Sequence, residues 1–508
     1  MDLLLGLDVG TTSVKAALFD PAGACLGSAG EEYRLDHPGP DRAQLDAETY
    51  WRASQVAIRR TMAVAGAGHD DVTALAVSSQ GETVIPVDSA GRAVGPAIVW
   101  LDNRSLAESR DIAAAFDETA LYDVTGVPSV VPTWSACKIL WWRRHEPDVF
   151  AAARRFLLVE DLLLHRLTGR FVTEGGVQCT SLLLDIRANA WWDEMLDVVG
   201  IDAARLPELV RPGDAVGTLS PAAADALGLS PRVRVVAGGM DQGAGAVGVG
   251  NVRAGMVSES TGGALTLQAS VHRHGADASR RTPVYVHSAP RMYLYCPVCP
   301  TGGMALTWFR DQFGADEAAR AGREGTSAYD LLTALAADIP AGSEGLLMLP
   351  HLMGAFSPEY EPEARGVFYG FTLRHGKGHF VRAILEAVAF MLRRNLELLA
   401  GAGATADEVR SHGGGARSAL WNQVKADVCG RPVLTLEGDD AAIRGDAMLA
   451  GVAAGVFRDL DEAGRTMITT SRRYAPDPAT RAAYDEAYGR YVELFETLRP
   501  LFGWPRSG

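Results

Sequence analysis

Two turns of nearly the same design, half a chain apart, constrain this sequence more than anything else in it. The first lies in LLLGLDVGTTSVKAALFD, residues 3–20, and the second in AGMVSESTGGALTLQAS, residues 254–270. Each reads as an apolar strand, a tight turn and a second strand, with Gly10-Thr11-Thr12 at one tip and Thr261-Gly262-Gly263 at the other. Val14, Ala16 and Leu18 alternate as a half-buried strand does. Glycine permits positive φ, so successive backbone N–H groups can point into one concavity, and threonine hydroxyls add donors. Such a concavity binds phosphate, and two facing each other can hold a nucleoside triphosphate across a cleft. The chain therefore reads as two related halves, a weak internal repeat. Either segment taken alone is also an ordinary hairpin with glycine in its turn. Asp8 just before the first turn and Lys15 just after it favour the functional reading, as does a carboxylate motif upstream of the second.

At 508 residues the chain is long enough for two or three domains, each with its own core. Its formal net charge of −14 argues against a nucleic-acid track or a polybasic membrane contact. An acidic enzyme can still bind ATP, because amides and Mg²⁺ dominate locally. There is no transmembrane run. Asp2 and Asp8 interrupt the apolar start, and no basic segment precedes it, so a signal peptide is not expected. Six cysteines in so long a chain fit a reducing cytoplasm. Cys296 and Cys299 form a lone CxxC without a second ligand pair, and read as structural thiols.

Residues 1–35 read as a three-stranded meander, followed by a helix from about Glu48 to Val64. A strand, ALAVSSQ, ends at the polar tip Gln80-Gly81-Glu82-Thr83, and another, GPAIVWLDNRS, runs into Asp102. Residues 105–225 look mainly helical, with Trp141-Trp142 and Trp191-Trp192 as packing residues. A fresh strand, RVRVVAGGM, leads into Asp241-Gln242-Gly243. Residues 271–290, with His272, His274, Arg280 and Arg281, read as an exposed loop. Residues 380–400 carry apolar side chains at helical spacing. His412-Gly413-Gly414-Gly415 precedes a further helix, and residues 480–498 form an amphipathic tail. The boundary between the halves is placed at 243/244, giving domains 1–243 and 244–508 around a tight hinge near residues 243–254.

P-loop, HExxH and GxSxG motifs are all missing. What remains is strand-end carboxylates and glycine-rich turns. Phosphoryl transfer needs little else: amides around the phosphates, Mg²⁺, and a base for the attacking hydroxyl. Asp8 suits the metal role, since Mg²⁺ keeps most of its waters and takes one or two carboxylates. Asp241 suits the base, with small residues beside it leaving room for a substrate. It could equally cap the helix that starts at Gln242.

These segments, in this order, resemble the FGGY family of carbohydrate kinases. LDVGTTSVKAALFD resembles the family's first phosphate loop and PAIVWLDNRS its sugar-side strand. Pro132–Trp141 resembles a family signature, and VVAGGMDQGAGAVGVG the segment carrying the catalytic aspartate. GGMALTWFRD, LPHLMGAFSPEYEPEARGVFYGFT and GGGARSALWNQVKADVCGRPV follow in the expected sequence. The resemblance implies an α/β fold of two duplicated, actin-like or ribonuclease H-like domains around a central nucleotide cleft. It makes Asp241 the general base, shared with Asp8 as a metal ligand. Asp8, Gly10, Thr11, Thr12 and Lys15 are then expected at the β- and γ-phosphates and Mg²⁺. Thr261, Gly262 and Gly303 are expected at the phosphates from the second half, with Gly414 and Gly415 under the adenosine. A homodimer is an expectation from the resemblance only.

The sugar side departs from the family's best-known members. Ser79–Thr83 resembles the glycerol kinase version at Gln80, Glu82 and Thr83, but Gly81 replaces an arginine. Thr133 stands where an aromatic residue is expected. Both losses predict a roomier pocket than glycerol needs. The segments around Asp241 and GVFYGFT look closer to xylulokinase. Gln80, Gly81, Glu82, Asp102 and Gln242 are the expected substrate contacts, the carboxylates accepting hydroxyl hydrogen bonds and Gln242 donating one. Asp102 could instead pair with Arg104. The implied activity is ATP-dependent phosphorylation of a ketopentose such as D-xylulose, with a polyol or another ketose as the alternative. An actin-like filament or chaperone ATPase is the rival class, as is a degenerate sugar-binding regulator. The first pair would not need the sugar-side strands, and the regulator would be expected to have lost Asp241 or a phosphate loop.

Overall fold

A computed structural model describes residues 2–275, 279–438 and 440–503. The N-terminal half opens with β1 (Leu3–Val9), β2 (Ser13–Phe19) and β3 (Cys25–Glu32), then α1 (Glu48–Ala65) and β4 (Val72–Ser79). Further along come α2 (Ser135–His145), α3 (Val159–Thr168), β5 (Ala215–Thr218), β6 (Arg234–Met240) and α4 (Asp241–Gly248). The sheet order is β5-β6-β4-β1-β2-β3. From β3 to β5 the pairings run antiparallel, antiparallel, parallel, parallel, antiparallel.

The C-terminal half carries β7 (Val257–Thr261), β8 (Leu265–Val271), β9 (Val284–Val286), β10 (Tyr293–Tyr295) and α5 (Met304–Phe313). It continues with α6 (Lys377–Gly401), β12 (Val409–His412), α7 (Ala419–Cys429), β13 (Val433–Leu436), α8 (Ala441–Ala454), β14 (Thr470–Tyr474) and α9 (Arg481–Leu498), while β11 (Val298–Cys299) pairs beside β8. From β10 through β8, β7, β12 and β13 to β14 the same series of pairings repeats. The internal repeat expected from the two turns is thus a repeat of whole sheets.

Strand alternation sets how each sheet is covered. Leu5, Leu7 and Val9 pack on one face of the N-terminal sheet with Ala53, Ala57 and Ile58 of α1. Leu4 points to the other face, where Ile443, Ala447 and Met448 of α8 meet it. A helix from the second half therefore completes the core of the first. Two glycines permit the crossing of α4 and α8: a Cβ on Gly248 would stand 1.7 Å from the Ala441 carbonyl oxygen, and one on Gly445 1.9 Å from that of Ala244. This backbone-to-backbone contact runs from Ala244, one turn after Asp241, to Gly248 at the end of α4.

Several expectations change. GPAIVWLDNRS yields only a two-residue strand, Ala97–Ile98, paired with Gln44–Leu45, because Trp100 to Asp102 turn back on themselves. The helical reading of 105–225 holds, but short strands interrupt it and one, β5, is the sheet edge. The expected loop 271–290 contains β9, and its residues 276–278 lie outside the described residues. His274 is only partly exposed: its ring packs between Tyr122 and Tyr293. Helix α4 runs through the boundary placed at 243/244. Among the described residues no helix is long and apolar enough to cross a membrane.

Candidate active site

Asp241 is the first residue of α4, immediately after the buried strand β6. The strand end is held from behind by Glu160 of α3, whose Oε1 accepts the N–H groups of Gly238 (2.9 Å) and Gly239 (3.1 Å). Asp241 and Asp8 line one cavity of about 300 Å³ between the halves, together with Gln242, Ser260, His412 and Asp440. Burial pushes the Asp241 carboxyl up to about 7, and the nearby charge of Asp8 adds to the effect. Asp8 rises to about 6, chiefly by burial, and the Ser78 hydroxyl and Lys15 oppose the rise. A carboxylate poised near neutrality and facing an open cavity is equipped to take a proton.

On the sugar side, Glu82 is clamped by its backbone. Its φ is +59°, a left-handed conformation rare for glutamate. Its N–H donates to Thr180 Oγ1 (3.1 Å), and its carbonyl accepts from Ser135 Oγ (2.9 Å) and Lys138 Nζ (3.3 Å). Burial lifts its carboxyl to about 8 against the opposing pull of Lys138, with Asp241 adding to the rise. Lys138, fully buried on α2, is lowered to about 8 by burial and held up mainly by Glu82. Lys138 was visible in the sequence only as part of the Pro132–Trp141 signature. Tyr285 of β9, whose hydroxyl is raised well above its usual range by burial and by the charges of Glu82 and Asp241, was hidden in the expected loop.

The structure corrects three sugar-side expectations. A Cβ on Gly81 would stand 2.6 Å from Thr180 Oγ1, so the missing side chain makes room for Thr180 and does not widen the pocket. Asp102 is fully buried, and its carboxylate accepts from the Ala43 and Arg104 N–H groups and from the Arg104 guanidinium, so it braces the chain and does not face a substrate. Gln80 spends its amide on Thr11 and Tyr50, each at 3.2 Å, and so ties the sugar tip to the first phosphate turn. Gln242 keeps its place in the cavity, with Oε1 accepting from Gln268 (2.6 Å).

On the nucleotide side, Gly10 closes the first turn by donating to Ser13, and the Thr11 hydroxyl accepts from Trp100 Nε1 (2.8 Å). Thr12 is exposed at the tip. Lys15 reaches Asp440 of the other half at 3.0 Å. The second turn is one cluster: Gly303 donates its N–H to the Gly262 carbonyl (2.8 Å), and a Cβ on Gly415 would stand 2.7 Å from the Thr261 side chain. Gly262, Gly263 and Gly414 are exposed around it. Thr261 is a correction. Its hydroxyl donates to Glu259 (2.7 Å) and accepts from Lys425 (2.9 Å), so it points into the domain, away from the cleft.

Two duplicated sheets, a phosphate-type turn on each, and a near-neutral aspartate between them define a sugar-kinase architecture. A model of the FGGY family of carbohydrate kinases, N-terminal domain, matches residues 3–248, and the C-terminal domain model of that family matches 261–454. The chain belongs to the FGGY family of carbohydrate kinases. A xylulose kinase of Escherichia coli (strain K12) is 30% identical over 502 residues, covering 98% of this chain and 100% of the relative. An autoinducer-2 kinase of Enterobacter sp. (strain 638) is 30% identical, covering 97% and 94%, and a gluconokinase of Bacillus subtilis (strain 168) is 28% identical, covering 97% and 96%. The crystal structure of a xylulose kinase from Rhodospirillum rubrum superposes with a TM-score of 0.90 at 29% identity, covering 98% of this chain and 99% of that one.

Proposed function

We propose that this enzyme transfers the γ-phosphoryl group of ATP to a hydroxyl of a ketopentose or closely related sugar, with D-xylulose the leading candidate. The observation that carries the reading is Asp241. It heads α4 at the floor of the interdomain cavity, with its carboxyl raised to about 7. There it takes the proton of the attacking hydroxyl as the oxygen moves onto phosphorus. Glu82 orients the sugar through hydroxyl hydrogen bonds, and its clamped backbone fixes where the carboxyl points. Thr11 and Thr12 in the first turn and Gly263 in the second offer backbone donors to the phosphates from opposite halves, the Gly10 and Gly262 N–H groups being taken by Ser13 and Ala264. Closure of the halves excludes water and limits wasteful hydrolysis.

The donor set fits Mg²⁺. Asp8 and Asp241 bring two carboxylates into one cavity, and the charge of Asp8 raises the proton affinity of Asp241, the like-charge strain that a divalent cation relieves. Asp8, with Asp241 beside it, would hold the ion, which when bound supplies charge neutralisation at the transferred phosphoryl group. The naming of relatives supports D-xylulose, while autoinducer-2 and gluconate kinases of similar identity keep neighbouring polyhydroxylated substrates in the test.

That test is sugar-dependent ADP release with MgATP across ketopentoses, ketohexoses, pentitols, tetritols, glycerol and gluconate, with Asp241→Asn as control. A single strong responder lost in the variant is the expected result. Silence across the panel, or turnover that survives in the variant, removes the assignment.

A further inference from the structure

Glu259 and Lys425 form an ion pair at 2.7 Å in which both side chains are 0% exposed. It lies directly beneath the second phosphate turn. Lys425 Nζ also donates to Thr261 Oγ1 (2.9 Å), and Thr261 Oγ1 donates to the other oxygen of Glu259 (2.7 Å), so the pair and the turn close a ring of hydrogen bonds. The Ser411 hydroxyl donates to Glu259 as well, which joins β12 to β7 at the point where both strands end. One helical turn before Lys425, Asn422 donates to the Ala416 carbonyl (2.7 Å) and steadies the short turn that follows Gly413. A single buried cluster thus reaches both surfaces that flank the cleft from the C-terminal half.

A pair this deep is not explained by stability. Taking two charges out of water costs several kcal/mol per ion, and apolar replacement of a whole buried pair is often neutral or stabilising. What an apolar pair cannot do is hold a hydroxyl at a fixed point. We propose that Glu259 and Lys425 are positioning residues for the nucleotide: they fix Thr261 and Ser411, so that the Thr261–Gly263 turn and the Gly413–Arg417 turn present one rigid surface to ATP. The proposal rests on the nucleotide binding between the halves as set out above.

The test is the double variant Glu259→Leu/Lys425→Met, read by melting temperature, by calorimetric ATP binding to the full chain and by KM for each substrate. Positioning predicts melting close to wild type, ATP affinity weakened by about tenfold or more, and a sugar KM within about twofold. A double variant that melts normally and binds ATP as tightly as wild type overturns the proposal. Should that variant fail to fold, Ser411→Ala removes only the hydroxyl tying β12 to Glu259. An ATP KM raised by about threefold at unchanged sugar KM supports the proposal, and an unchanged ATP KM overturns it. Wild-type protein that binds no ATP rejects the nucleotide reading itself, and is seen before any variant is made.

Discussion

The Ser78 hydroxyl stands 2.8 Å from Asp446 Oδ2, joining β4 of the first half to α8 of the second. The same oxygen lies 3.1 Å from Asp8 Oδ1. A hydroxyl has one proton and cannot donate to two carboxylates at once. Both contacts become hydrogen bonds if Asp446 is protonated, donating to Ser78, which donates to Asp8. Burial, with the charge of Asp8, holds the Asp446 carboxyl well above its usual range, as this requires. Asp446→Asn, whose amide can donate in place of the acid proton, is expected to keep kcat within about threefold of wild type. Asp446→Leu leaves Asp8 without the relay and is expected to lower kcat by about tenfold or more. Steady-state kinetics of the two variants decide it: equal losses would exclude a protonated Asp446.

Activity and stability are expected to move in opposite directions with pH. Asp241 acts as a base only when ionised, so kcat/KM for the sugar should rise through about pH 7 and level only above about pH 8, once Glu82 has ionised as well. The folded protein holds protons on Asp8, Asp241 and Glu82 that the unfolded chain has already released at the same pH. The stability these groups contribute is complete below the ordinary carboxylate range and is lost as pH rises through their folded values. Melting of the nucleotide-free enzyme should therefore fall from about pH 5 to about pH 8. A flat melting profile would remove the raised carboxyls from the account.

Steric pairing of Gly81 with Thr180 gives a third prediction. Gly81→Ala places a methyl group against the Thr180 side chain and displaces Glu82 next to it, so the sugar KM should rise by about fivefold or more at unchanged ATP KM. Adding Thr180→Ala removes the clash but also the acceptor for the Glu82 N–H, so recovery should be partial. Sugar KM values of the single and double variants measure the coupling, and additivity would show that the two positions do not touch.

What could be read in the sequence was chemistry carried by contiguous residues. Gly10-Thr11-Thr12 and the strand-end Asp241 announce themselves because turn, strand and functional group are neighbours in the chain. The sheet in each half followed from two strands and their turn. The rest depends on distant partners. Asp446 meets Ser78 across 368 positions, and Lys425 meets Glu259 across 166, so neither contact leaves a local pattern. Thr180 reaches Gly81 from a segment that reads only as helical. Apolar alternation over-extended the strand before Asp102, since periodicity does not register a chain that turns back. Lys138 is a case between these: its segment was noticed, but a lysine on an apolar helix gives no sign that its amine is buried against Glu82.

Asp102 and Glu82 were both candidates in the sequence, and the geometry separates them. Every oxygen of Asp102 is engaged by Ala43 and Arg104, and the Asp102 and Arg104 side chains are only 0% and 5% exposed. Asp102→Asn breaks a buried charge pair and leaves the guanidinium uncompensated, a loss of about 3 kcal/mol in stability. The sugar KM of the surviving folded enzyme should stay within about twofold, because the carboxylate never reaches the pocket. Measured above about pH 8, where Glu82 is ionised, Glu82→Gln keeps the size and the backbone clamp but gives up the charged acceptor. It should raise the sugar KM by about tenfold while leaving melting and ATP KM nearly unchanged. Thermal melting and both KM values, measured side by side on the two variants, read the contrast directly. A sugar KM that follows Asp102 and ignores Glu82 would return the brace to the pocket and take the clamped glutamate out of it.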